Sequence, residues 1–202
     1  MLNKYLTLSG KNIENLAIWR GVSNETLLHH VASRNSDNPN LIEFLVDSGL
    51  SILAKDNEGQ MAIHVAAWFG KVEAISKLVE LYPDIINAKD NEDSTALHNA
   101  AANGKVEAIN KLFELKPEII DAKDNEGSTA LHIAAMFDKV EAITKLVELK
   151  PEIIDVLDNQ GQTALVSAAR FGKVNSISKL VELSPDIIKG SMGNMALQLA
   201  AG

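Results

Sequence analysis

Between Lys105 and Pro117 the chain reads KVEAINKLFELKP. Val106, Ala108, Ile109, Leu112, Phe113 and Leu115 recur at the three- and four-residue steps of one helix face, and Glu107, Asn110, Lys111 and Glu114 take the other. This pattern predicts an amphipathic helix. Pro117 ends it, because proline has no N–H and disfavours helical geometry at the residue before it. Upstream, Thr95 precedes Ala96-Leu97-His98-Asn99-Ala100-Ala101, and Gly104 separates that stretch from the first helix described. A short helix is predicted here, with the Thr95 hydroxyl capping its first free N–H groups and Gly104 permitting a sharp turn. Glu118 to Asp124 is predicted to run out as an extended arm into a polar turn.

The same unit recurs. Residues 90–123 and 124–157 are identical at 25 of 34 positions, and the register continues through 56–89 and 158–191. A diverged copy with a short insertion occupies 21–55, and MALQLAA begins a partial copy over 192–202. Such a chain is a stack in which each unit contacts its neighbours, so one elongated domain with a continuous core is predicted. The Ala-Ala pairs at 66–67, 100–101, 134–135 and 168–169 keep the short helices thin enough to approach one another. Residues 1–20, with Leu6, Ile13, Leu16, Ile18 and Trp19, read as an N-terminal capping helix over the first unit. The half-unit that closes the chain reads as the cut end of a longer array.

Composition narrows the function classes. The net charge is -8 with a pI near 5.1, which argues against a nucleic-acid partner, because that needs a basic stripe. No apolar run is long enough to span a bilayer, and the first residues lack the layout of a secretory signal. There is no cysteine, which fits a reducing compartment, and a cytoplasmic location is expected. No phosphate-cradling glycine loop, nucleophile elbow or HExxH motif occurs, so no cofactor, catalytic residue or enzymatic activity is expected.

T-A-L-H-x-A-A, followed by G-K-V-E-A-I-x-K-L and an arm ending in A-K-D, resembles the ankyrin repeat. The resemblance covers about residues 21–202. It implies an all-α solenoid of paired antiparallel helices with projecting hairpin-like turns, and a curved inner face that binds other proteins. Ala96, Ala130 and Ala164 stand where the family motif usually has proline, and the 34-residue period exceeds the commoner 33. These departures are expected to lengthen the second helix of each unit slightly.

His64, His98 and His132 recur one per unit. Equivalent imidazoles on neighbouring units sit about 8–10 Å apart, too far to share a zinc ion whose ligands lie about 2 Å from it. The resemblance implies instead that each bonds neighbouring backbone. The adjacent pair His29-His30 has no obvious third ligand, and Asp56, Asp90, Asp124 and Asp158 lack calcium-loop spacing and read as turn residues.

Copies differ most just after the Ala-Ala pairs, at Trp68-Phe69, Ala102-Asn103, Met136-Phe137 and Arg170-Phe171. In the family these positions end the short helix and face the concave groove. Four of the nine aromatic residues fall in these eight places, and such side chains dominate interface energetics, so this is the candidate partner-binding strip. Packing of the three phenylalanines as core is the competing reading. Gln60, Ser94, Ser128 and Gln162 are expected to form a second, polar strip along the finger tips, near Glu58, Glu92, Asp93 and Glu126. A protein partner with a basic or mixed apolar surface is expected, bound by a monomer. The abundance of Ile, Lys and Asn is reminiscent of AT-rich bacterial genomes. It leaves a further reading open, in which the module recruits partners for a larger enzyme or a secreted bacterial effector in host cytosol.

Overall fold

The computed structural model of the protein describes residues 19–33 and 39–188. The predicted cap over 1–20 falls outside them except for its last two residues, and the partial unit at 192–202 lies outside entirely. Among the described residues ten α-helices run in order: α1 (Leu27–Ser33), α2 (Pro39–Asp47), α3 (Ala62–Phe69), α4 (Val72–Leu81), α5 (Ala96–Ala102), α6 (Val106–Leu115), α7 (Ala130–Met136), α8 (Val140–Leu149), α9 (Ala164–Arg170) and α10 (Val174–Leu183). No strand occurs among the described residues. Each pair is a short helix followed by a longer one, as the two hydrophobic patterns require.

Short helices pack on short helices of the next unit and long helices on long ones. The eight alanines of the Ala-Ala pairs are buried along the contact between short helices. Alanine serves here because it has no side chain beyond Cβ to hold neighbouring helices apart. Long helices contribute one stripe each, Ile75 and Leu78 in α4, Ile109 and Leu112 in α6, and Ile143 and Leu146 in α8. The result is one apolar core through all five units. On the outer face, Lys111 pairs with Glu114 at 2.7 Å rather than with Glu107, the partner its helical spacing suggested.

The extended arm is corrected. Pro83–Asn87, Pro117–Asp121, Pro151–Asp155 and Pro185–Ile188 each form a 3-10 turn after the long helix. Proline at the first position fixes a φ suited to the turn, while the residue before it, such as Lys116 at φ -155, is forced extended. The tight turn brings two consecutive isoleucines inward together. Ile85 with Ile86, Ile119 with Ile120 and Ile153 with Ile154 are all buried, at roughly 1.5–3 kcal/mol per side chain. An extended strand would alternate them and leave one of each pair in water.

Beyond each 3-10 turn, the chain leaves the helices as a finger. Asp56 Oδ1 accepts the N–H groups of Glu58 and Gln60, both at 2.9 Å. Asp90, Asp124 and Asp158 repeat the arrangement. One short carboxylate thereby closes each turn. Fingers are also stitched together: Asn91, Asn125 and Asn159 donate their N–H groups to Glu58, Glu92 and Glu126 carbonyls at 3.0 Å. Lys55, Lys89 and Lys123 reach the carbonyls of Lys89, Lys123 and Leu157 in the next unit.

Candidate interaction surface

The short helices α5 and α7 begin at a reciprocal cap. In α5 the Thr95 side chain takes the backbone N–H of His98, and His98 Nδ1 takes that of Thr95 at 3.2 Å. Thr129 and His132 do the same in α7, and His64 keeps its half of the box in α3 although Met61 replaces the threonine. The far ring nitrogen crosses to the next unit. His98 Nε2 meets the Ser128 carbonyl at 3.0 Å, His132 Nε2 meets that of Gln162 at 3.1 Å, and His64 Nε2 lies between those of Ala88 and Ser94. His29 bonds the Gln60 carbonyl in the same way at 2.9 Å.

A carbonyl only accepts, so Nε2 carries the proton, and Nδ1, which accepts an N–H, carries none. These rings are neutral by construction. Burial pushes the His64, His98 and His132 pKa values down, although the carbonyl bonds and nearby aspartates work the other way. His30 stands apart, edge-on to Trp19 with ring centroids 4.9 Å apart. No group of three potential metal ligands is found among the described residues.

The histidine ladder displaces the second predicted strip. Gln60, Ser94, Ser128 and Gln162 lie at the base of the fingers rather than at their tips. Their N–H groups bond the turn aspartates and their carbonyls receive the histidines, and Ser128 is buried. The exposed tips are Asn57-Glu58, Asn91-Glu92, Asn125-Glu126 and Asn159-Gln160.

The helix-end strip divides. Trp68 (40% exposed), Phe69 (47%), Phe137 (52%) and Phe171 (52%) stand in solvent, so the competing core reading does not describe these phenylalanines. Phe137 and Phe171 are themselves the last, non-helical residues of the turn, where the backbone carries the side chain off the packed face. Met136 is half-buried. Ala102 is buried and offers a partner almost no surface. Asn103 is half-buried and spends its amide on the Trp68 carbonyl at 2.8 Å, tying two neighbouring helix ends together.

Arg170 Nη1 donates to Gln160 Oε1 at 2.8 Å and to Gln162 Oε1 at 3.0 Å, and Gln162 Nε2 donates to Gln160 Oε1. Two neutral amides therefore hold the guanidinium with no carboxylate in an ion pair to it. In the three preceding units the position of Gln160 is Glu58, Glu92 and Glu126. The glutamine was legible as a departure from the repeat, but nothing in the sequence joined it to Arg170, ten residues on.

Three clefts run along this side. Phe69 shares one with Glu25, Asp56, His29 and Val65. Glu58, Gln60, Asp90 and Glu92 line another between two fingers. Met136, Arg170 and Phe171 share the third with Glu126, Asp158 and Gln160. Phe69 and Phe171 thus share their clefts with carboxylates.

A stack of helix pairs with stitched fingers, a single core and an exposed aromatic row defines a helical-repeat scaffold. Profiles described as ankyrin repeats (3 copies) match residues 2–90 and 79–155, and one described as ankyrin repeats (many copies) matches residues 131–181. The chain belongs to the ankyrin repeat family, whose repeats generally serve as protein-protein interaction modules and are typically non-catalytic. No curated protein was found to match the chain. No described helix is long and apolar enough to cross a membrane.

Proposed function

We propose that the chain is a non-catalytic module that holds a protein partner in the trough between its helix ends and its fingers. The exposure of Phe69, Phe137 and Phe171 in one register, with Trp68 exposed beside the first, carries this reading. Large apolar side chains left in water at the helix ends of the second, fourth and fifth units cost free energy that a partner recovers by covering them. Trp68, Phe69, Met136, Phe137, Arg170 and Phe171 supply the contact side chains. Asn103 holds the Trp68 turn in place, while Gln162 positions Arg170.

The test is affinity capture of proteins from a cell lysate on the wild type beside a Trp68→Ala, Met136→Ala, Arg170→Ala variant whose denaturant midpoint matches. Retention by the wild type alone supports the trough. Equal retention by both forms removes it and moves the site to another face.

A further inference from the structure

We infer that the trough selects an extended partner segment that places Lys or Arg over the finger side and apolar side chains over the aromatic row. This deepens the proposed function and rests on it. The argument is charge complementarity at an apolar surface. The three clefts are lined by seven carboxylates, from Glu25, Asp56, Glu58, Asp90, Glu92, Glu126 and Asp158, against the single guanidinium of Arg170, and no lysine lines them.

The nearby lysines are directed elsewhere. Lys55, Lys89 and Lys123 bond carbonyls of the next unit. Lys105 and Lys139 lie over Gly70 and Gly104, at the turns between short and long helices, and line none of these clefts. Glu58, Glu92 and Glu126 form no ion pair among the described residues. Those lysine ammonium groups keep their charge, and Lys89 also pairs with Asp93, but they are fewer than the finger carboxylates, so the finger side keeps a net negative potential beside Phe69, Met136 and Phe171, which favours a cationic partner in rate and in register.

Spacing follows from the repeat. Neighbouring helices pack about 8–10 Å apart, and a polyproline-II segment rises about 3.1 Å per residue with about three residues per turn, so one unit corresponds to about three partner residues and returns the side chain to the same side. In that conformation a segment with a cation at about every third position matches Glu58, Glu92 and Glu126 in turn. At the fifth unit the pattern breaks: Gln160 replaces the glutamate and Arg170 is held beside it, so a carboxylate of the segment belongs there. This fixes the direction in which the segment lies.

The probe is a phage-displayed library of random peptides selected against the full chain, with the selected peptides then measured by fluorescence anisotropy. The expected peptides combine apolar residues with Lys or Arg at every third position and an acidic residue at one end. Their affinity falls about tenfold or more for Glu58→Gln, Glu92→Gln, Glu126→Gln together, and the loss shrinks as salt screens the charges. Arg170→Gln removes the preference for the acidic end alone. Peptides without a basic bias, or affinities unmoved by the three glutamines, overturn the inference. If such peptides still depend on Trp68 and Phe171, only the charge assignment fails. If they depend on neither set, the trough itself fails as the binding site.

Discussion

The carboxylate of Asp138, at the end of the fourth unit's short helix, receives both the backbone N–H and the hydroxyl of Ser176 in the fifth, each at 2.9 Å. Its other oxygen takes the Asn175 amide at 2.8 Å. Asp138 stands where other units have Gly70, Gly104 and Gly172, and Ser176 stands where they have Ala74, Ala108 and Ala142. It keeps the glycine's left-handed backbone, at φ 56. The two departures from the repeat therefore form one contact. It caps the first turn of α10 from the neighbouring unit and satisfies a hydroxyl that is wholly buried. Burial works to raise the Asp138 pKa, but the bonds from Asn175 and Ser176 outweigh it and hold the carboxyl below its usual range.

Asp138→Gly restores the residue of the other units and is nevertheless expected to destabilise the protein. It strands the Ser176 hydroxyl, at a cost of about 1–3 kcal/mol, which exceeds the relief of backbone strain in an aspartate. Adding Ser176→Ala should recover most of the loss, since alanine fits at the equivalent positions. Denaturant midpoints of the four proteins measure this cycle; additive effects of the two substitutions would show the contact to be idle.

That pair also marks where sequence reading stops. Period, helix order and the long-helix boundaries were legible because each rests on local chemistry: apolar spacing, a glycine turn, a proline stop. Burial of Ile119 and Ile120 together was not, since an isoleucine pair after proline fits an extended arm as well as a 3-10 turn. Exposure of Phe137 was expected from its place in the helix-end strip, yet a core reading competed with it for a related reason. An apolar residue recurring at a repeat position looks like core until the backbone direction at the helix end is known. The finger bases were misplaced because Ser94 and Ser128 act through backbone groups, which side-chain identity does not report. Departures from the repeat, such as Asp138, Ser176, Gln160 and Arg170, were visible, but their pairing required three dimensions.

Stability should fall on mild acidification. His64, His98 and His132 are held neutral, with pKa values lowered by burial, whereas in the unfolded chain each takes a proton near about pH 6.5. The unfolded state then binds more protons than the folded one, so stability is full above that pH and declines below it until the folded rings protonate. The slope approaches about 1.4 kcal/mol per pH unit for each ring. Urea midpoints from about pH 7.5 down to 5.5 read it, and His98→Gln should reduce the slope by one ring's share. A flat profile would mean that protonated rings are accommodated.

Thr163 and Thr129 occupy the same position in successive units but should respond oppositely to valine. Thr129 Oγ1 bonds His132 Nδ1 at 2.9 Å. In the fifth unit Val166 replaces the histidine, and Thr163 Oγ1 is buried without a partner. Thr129→Val removes one side of a capping box and is expected to cost about 0.5–2 kcal/mol. Thr163→Val replaces an unsatisfied hydroxyl with a methyl group of similar size and should be neutral or stabilising by up to about 1 kcal/mol. Equal losses from both, in chemical denaturation, would contradict the assignment.

Asp93 occupies a finger turn position that is Gly59, Gly127 and Gly161 in the other units, and like them it has positive φ, at 60. The glycine has a second purpose there. A Cβ at Gly59 would collide with the side chain of Asn91 and sit 2.8 Å from its backbone nitrogen, and one at Gly127 would do the same to Asn159. With glycine present, Asn91 Nδ2 bonds the Asn57 carbonyl at 3.1 Å and Asn159 Nδ2 bonds that of Asn125 at 3.0 Å. Asn125, facing Asp93, makes no such side-chain bond, although its backbone bond to Glu92 persists. Asp93→Gly should thus stabilise the chain by about 0.5–1 kcal/mol, because relief of the left-handed aspartate and the new amide bond outweigh an exposed Lys89–Asp93 pair. Gly127→Asp should do the reverse and cost more, since it adds a collision with backbone. Protection of the Asn125 and Asn159 N–H groups in hydrogen exchange should rise in the first variant and fall in the second; unchanged exchange in both would show that the finger ladder does not depend on room at this position.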